Sequence, residues 1–223
     1  MIRLRHVNKT YPTRAGDRLV LDDISFEFEK GEKVGILGRN GAGKSTLIRL
    51  VGGVERPSSG EIERGMSVSW PLAFGGAFQH ALTGEDNVRF ISRIYNQDFR
   101  QNLDFVADFT ELGPYLREPM RSYSQGMRAR LAFATSMTIE FDCYLIDEIS
   151  AVGDARFHER CNEELFLRRS DRAMVIVSHD LHYIQGHCSR FGVLIDGKLH
   201  FHENFEQAYQ AHMEAMHLDA VPH

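Results

Sequence analysis

The chain has 223 residues, of which 43% are hydrophobic and 26% charged, enough to bury a sizeable core and ordinary for a globular protein. A net charge of −5 argues against general affinity for nucleic acid, and no apolar run approaches the roughly 18 residues that span a bilayer. The polar start Met1–His6 is not expected to act as a secretory signal, and Cys143, Cys161 and Cys188 lack paired spacing, so neither disulfides nor a zinc site is expected and a reducing compartment fits.

Taken in chain order, Ile2, Leu4 and His6 alternate as on one strand face, and a second alternation runs from Ile24 to Glu29. Thr13–Arg18 between them reads as a loop. Lys33–Leu37 is an apolar run that meets a glycine-rich turn and then a helix from Ser45 to about Gly52. Pro57–Gly60 turns into another short strand. Thr83-Gly84-Glu85-Asp86 has capping-box spacing, and Val88, Ile91 and Tyr95 follow at helical intervals. Phe99, Leu103, Val106 and Phe109 mark a second helix, closed by Gly113-Pro114, and a third runs from about Gln125 to Thr138.

Residues 77–138 thus read as a helical subdomain inserted into an α/β core of 1–76 and 139–203, with Gly75-Gly76 as a hinge. Two apolar strands follow, Cys143–Ile146 and Ala173–Val177. The helical stretch 155–168 between them implies parallel pairing by a right-handed crossover. A hairpin around Asp196-Gly197 and a tail with a helix at about 204–216 close the chain, with no internal repeat.

Gly38-Arg39-Asn40-Gly41-Ala42-Gly43-Lys44-Ser45 fits the G-x-x-x-x-G-K-[ST] phosphate loop. Its glycines let backbone N–H groups turn toward phosphate oxygens, and the following helix adds the positive end of its dipole. Lys44 would reach the β- and γ-phosphates and the Ser45 hydroxyl a Mg2+ ion.

Asp147 and Glu148 stand at the carboxyl end of one apolar strand and His179 just past another. Alone, such an acid pair suits a solvated strand end and such a histidine a structural role. Beside a phosphate loop they suit hydrolysis: Asp147 supporting Mg2+, Glu148 polarising water, and His179 donating toward the γ-phosphate. Ligands of open α/β sheets gather outside those strand ends. Ser124-Gln125-Gly126-Met127, by itself, is an N-capped helix start. His200 and His202 share a strand face as metal ligands can, but a solvated face accounts for them without a third ligand.

The order of phosphate loop, serine–glycine helix cap, acid pair and histidine resembles ABC-type ATPases over about Ile2 to Phe205. The resemblance implies a P-loop core with mixed sheet, an N-terminal antiparallel β part and an inserted helical subdomain. It implies ATP and Mg2+ as cofactors and a dimer of two copies burying two ATP. Ser124, Gln125, Gly126 and Met127 would form the signature that meets the partner's γ-phosphate. Tyr11, otherwise an ordinary strand-end aromatic, would stack on adenine, and Thr46 would contact the α-phosphate. Ala151-Val152-Gly153-Asp154 would communicate across the dimer, with Asp154 as its charged member.

Tyr123-Ser124-Gln125-Gly126-Met127, Val152-Gly153-Asp154, and the pair Ser69–Leu72 with Leu82–Asn87 are similar to capsular-polysaccharide exporter ATPases. O-antigen and teichoic-acid exporters are near relatives. The implied partners are a second copy, a multi-span permease, and periplasmic and outer-membrane export components, with no nucleic acid. The implied place is the cytoplasmic face of the inner membrane. The family's Mg2+-contacting glutamine would fall near Phe74-Gly75, which leaves Gln79 as a displaced candidate. A DNA- or ribosome-remodelling relative is disfavoured by the acidic charge and the lack of a coiled-coil insertion. A module that binds without turnover is disfavoured by intact Lys44, Glu148 and His179.

Overall fold

In the N-terminal strand β1 (Ile2–Thr13), Ile2, Leu4 and Val7 are buried while Arg3 and Arg5 pair outward with Glu27 and Glu61. Ile2 and Leu4 follow the period-two pattern of a half-buried strand, but His6, expected on the same face, is exposed with φ 48°, and a register shift between Leu4 and Val7 turns Val7 inward instead. β1 lies between β2 (Gly16–Phe28) and β4 (Ser59–Arg64), antiparallel to both. The structure is a computed structural model describing residues 1–72, 78–147, 154–178 and 180–218. The expected hinge Gly75-Gly76 lies outside these residues.

The expected loop at Thr13–Arg18 is instead a tight hairpin, with Tyr11 opposite Arg18 and Thr13 opposite Gly16. Thr13 Oγ1 donates to the Gly16 carbonyl (2.6 Å) and accepts from Ala15 N–H (3.2 Å). Backbone pairing carries both strands through polar sequence that has no alternation of its own.

The second sheet has the order β5-β6-β7-β3-β8-β9. Its strands are β3 (Lys33–Leu37), β5 (Val68–Leu72), β6 (Cys143–Asp147), β7 (Ala173–Val177), β8 (Arg190–Ile195) and β9 (Lys198–His202). β6, β7, β3 and β8 run parallel, and β9 closes one edge antiparallel. β7 is buried at every position, as expected of a strand covered on both faces. β5 escapes the sequence patterns because Pro71 interrupts an apolar run. Leu47, Ile48, Leu50 and Val51 of α1 (Lys44–Val51) join Val34, Ile36, Leu145 and Val175 in one apolar cluster with the inner face of the three-stranded sheet. α6 (Leu181–His187) and α7 (Phe205–Leu218) complete this core unit.

The described residues of Leu72–Glu140 and Ile149–Ser170 form a second, helical unit. It contains α2 (Gly84–Ile94), α3 (Phe99–Thr110), α4 (Gln125–Met137) and α5 (Ala155–Asn162), the last continued by a π-helical turn, Glu163–Leu167. Phe109 stacks on Phe133 (5.6 Å between centroids) and meets Phe157 edge-on (5.4 Å). At α2 the cap departs from the full capping box. Thr83 accepts from Asp86 N–H (3.0 Å), but its hydroxyl also donates to Asp86 Oδ2 (2.7 Å), since aspartate is too short to reach the backbone N–H.

Candidate functional site

β3 delivers four buried residues, Val34–Leu37, to Gly38, where the chain turns into α1. Gly43 caps α1 with φ 107° and no side-chain cap, and the first turn has no acidic residue. The N–H groups that open this helix are thereby left for an anion. Lys44 is buried (7% exposed), and its Nζ donates to the carbonyls of Gly38 (2.6 Å) and Arg39 (2.9 Å). The Arg39 guanidinium pairs with Asp196 (3.0 Å) on the β8–β9 turn, and Gly197 O of that turn accepts from Asp22 N–H (2.9 Å) on β2. The loop is thus tied to the β8–β9 turn, and that turn in its own right to β2.

A cavity of about 580 Å3 opens over the loop, lined by Asn40, Gly41, Gly43, Lys44, Ser45 and Thr46 together with Asp147, Arg18 and Val20. Asp147 gets there because β6 and β3 both flank β7: Asp147 and Ile36 are each in register with Val177. The three strand ends singled out in the sequence therefore lie side by side. Glu148 and His179, which follow two of them, lie outside the described residues, as do Phe74, Gly75, Ala151, Val152 and Gly153. Arg18 and Val20 carry no motif. The signal for them is the pairing of Tyr11 with Arg18, visible once the hairpin is known.

Ser45 and Asp147 present a hydroxyl and a single carboxylate in the same cavity as Lys44. That hard, sparse donor set fits Mg2+ carried by a nucleotide rather than an all-protein cage. Among the described residues, no group of three or more His, Cys, Asp or Glu could hold a metal ion. Tyr11 is outside the cavity lining, and its hydroxyl points to Glu55 (2.5 Å).

In the helical unit Ser124 caps α4, accepting from Met127 N–H (3.2 Å), with Ser124 and Gln125 exposed and Gly126 on the first turn. Asp154 caps α5 through Phe157 N–H (2.9 Å) and pairs with Arg130 (2.9 Å). These two interactions, the backbone one first, hold its carboxyl below the ordinary value. Gln79 is exposed, and its backbone N–H and carbonyl both bond the Asn87 amide (2.8 and 3.1 Å).

The ABC transporter family profile matches residues 21–151. The capsule polysaccharide export ATP-binding protein CtrD of Neisseria meningitidis serogroup B is 58% identical over 94% of this chain and 97% of its own length. The ATP-binding protein BexA of Haemophilus influenzae is 56% identical over 96% of this chain and 99% of its own. A solved dimeric ATP-binding cassette, in a post-hydrolysis state with ADP and phosphate, superposes with a TM-score of 0.77 at 21% identity. It covers 89% of this chain and 96% of that one, a likeness of fold.

Proposed function

The chain belongs to the ABC transporter family of ATP-hydrolysing subunits, and on that premise we propose that it powers export of capsular polysaccharide through a separate membrane permease. The observation that carries the ATPase chemistry is the meeting of Lys44, Ser45 and Asp147 in one cavity, at the ends of the two strands that flank β7. Nearly full-length similarity to a capsule polysaccharide export ATP-binding protein supports the cargo.

Lys44 holds the β- and γ-phosphates, Thr46 meets the α-phosphate, and the N–H groups of the loop and of α1 receive phosphate oxygens. Ser45 and Asp147 would hold a nucleotide-bound Mg2+, whose charge would offset that of the phosphates; Gln79 is a further candidate. Glu148 polarises the attacking water and His179 donates to the γ-phosphate. Tyr11 stacks on the base.

Ser124 to Met127 of a second copy faces the γ-phosphate, so that two copies enclose two ATP, and Asp154 reports across that interface. Among the described residues no helix is long and apolar enough to cross a membrane. Force reaches the cargo through the permease. Periplasmic and outer-membrane components would carry the glycan onward.

The test is to delete the gene, restore either the wild type or Glu148→Gln, stain surface polysaccharide and extract the cytoplasmic pool. Wild type restoring the coat while Glu148→Gln strands glycolipid inside supports both cargo and catalytic residue. A coat that persists without the gene refutes the cargo. In vitro, Glu148→Gln should accumulate an ATP-joined dimer on gel filtration, and a variant that binds ATP yet stays monomeric removes the dimer.

A further inference from the structure

Behind the cavity, four side chains that no phosphate-loop pattern contains or explains form a continuous polar chain. The Tyr11 hydroxyl donates to Glu55 Oε2 (2.5 Å), which Lys9 Nζ also approaches (3.2 Å). Arg49 Nε donates to Glu55 Oε1 (2.6 Å), and Arg49 Nη2 reaches Thr46 Oγ1 (3.2 Å). Lys9 Nζ also sits over the Tyr11 ring, 4.9 Å from its centroid. The backbone fixes the middle of this chain, because Val54 and Glu55 N–H both donate to the Arg49 carbonyl (2.9 and 3.3 Å).

The ion pair is three-quarters shielded, with Arg49 and Glu55 side chains 28% and 24% exposed. Burial alone would raise the Glu55 carboxyl, but the hydrogen bonds from Tyr11, Arg49 and Lys9 outweigh it and keep the group below its ordinary value. Glu55 is therefore a charged acceptor at neutral pH, the stronger kind of hydrogen-bond partner. A carboxylate with three donors and a guanidinium shared between it and a hydroxyl make a stiff link. That link joins Thr46 on α1 to the aromatic Tyr11 on β1.

We propose that Glu55 and Arg49 are positioning residues that brace Tyr11 to Thr46, so that base and α-phosphate are recognised at one fixed separation. This rests on the roles given above to Tyr11 and Thr46. Neither Glu55 nor Arg49 lines the cavity. They act by restricting the tyrosine ring and the Thr46 hydroxyl before ATP arrives, which spares the ligand the cost of ordering them.

Two nearly isosteric variants cut the brace from opposite ends, Glu55→Gln and Tyr11→Phe, and calorimetry compares ATP with inorganic tripolyphosphate, which has no base. Each variant should lose about three- to tenfold in ATP affinity, the range of one net hydrogen bond, while tripolyphosphate affinity changes less than about twofold. If both ligands weaken by the same factor, the network merely supports the loop and the brace is refuted; if neither weakens, it is likewise refuted. Tyr11→Ala separates the underlying assumption from the brace. An unchanged preference for ATP there removes Tyr11 from base recognition and the brace with it. A lost preference in Tyr11→Ala alone, with Glu55→Gln and Tyr11→Phe unaffected, overturns the brace while keeping the base contact.

Discussion

Two glycines of the phosphate loop offer a controlled comparison between backbone strain and steric contact. Gly43 has φ 107°, and a Cβ there would lie 3.0 Å from the Val20 carbonyl oxygen and 3.0 Å from Leu21 Cδ2. Gly41 has φ 81° and nothing within 4 Å of the same added atom. Gly41→Ala should therefore cost only the left-handed backbone, about 1 kcal/mol. Gly43→Ala should cost that strain plus about 2 kcal/mol of overpacking against a backbone oxygen that cannot rotate away.

For a chain of this size these costs correspond to melting shifts of about 2–4 °C and about 6–12 °C. ATP affinity should fall more for Gly43→Ala, because displacing Val20 disturbs a cavity wall as well as the loop. Circular dichroism melts and calorimetric titration of both variants are the assay. Equal losses would mean that the β2 contact contributes nothing, and a Gly43→Ala protein melting with the wild type would refute the reasoning altogether.

Lys44→Ala should weaken ATP binding about 100-fold, the worth of two charge-assisted hydrogen bonds, and unchanged affinity by calorimetry would remove the phosphate-loop assignment. In the helical unit, Arg169→Met should cost about 1–3 kcal/mol in urea denaturation, because Glu164, buried at 5% exposure, loses its 2.6 Å partner and keeps only Arg168 (2.7 Å). Adding Glu164→Leu should recover much of that loss; a double variant no better than the single one contradicts the cause. Asp142 is held down to about 2, chiefly by Lys30 and then by Ser67, so its contribution is present above its ordinary 3.8 and disappears as pH falls through about 2. Asp142→Asn should thus lower stability by about 1 kcal/mol near neutrality after solvent screening, with the gap closing between about pH 4 and pH 2; a gap independent of pH would show that the charge is not its source.

The phosphate loop was legible because its sequence encodes local geometry: an apolar strand, glycines, and a helix opening at Lys44. β7 matched its expected limits, Ala173–Val177, because full burial makes a strand uniformly apolar. The Ser124 helix start was readable because a cap is fixed by a neighbour three residues on. What stayed hidden depends on distant pairing. The outer half of β2 is polar and is a strand only because β1 pairs with it, and Arg18 and Val20 reach the cavity for the same reason. The link from Tyr11 through Glu55 to Arg49 spans residues up to 44 apart, and no periodicity announces it.

The position of β3 in its sheet also governs when the nucleotide site can exist during synthesis. β3 lies between β7 and β8, both of which come late in the chain. While a ribosome is making the molecule, the strand that presents Gly38 to Lys44 emerges early and must wait, with both edges unpaired, until residues 173–177 and then 190–195 appear. Its apolar residues Val34, Ile36 and Leu37 have no finished sheet to enter before then. A nascent chain therefore acquires its grip on ATP only when it is almost complete, and a chain cut short in its last quarter is left without an assembled phosphate loop that could waste nucleotide.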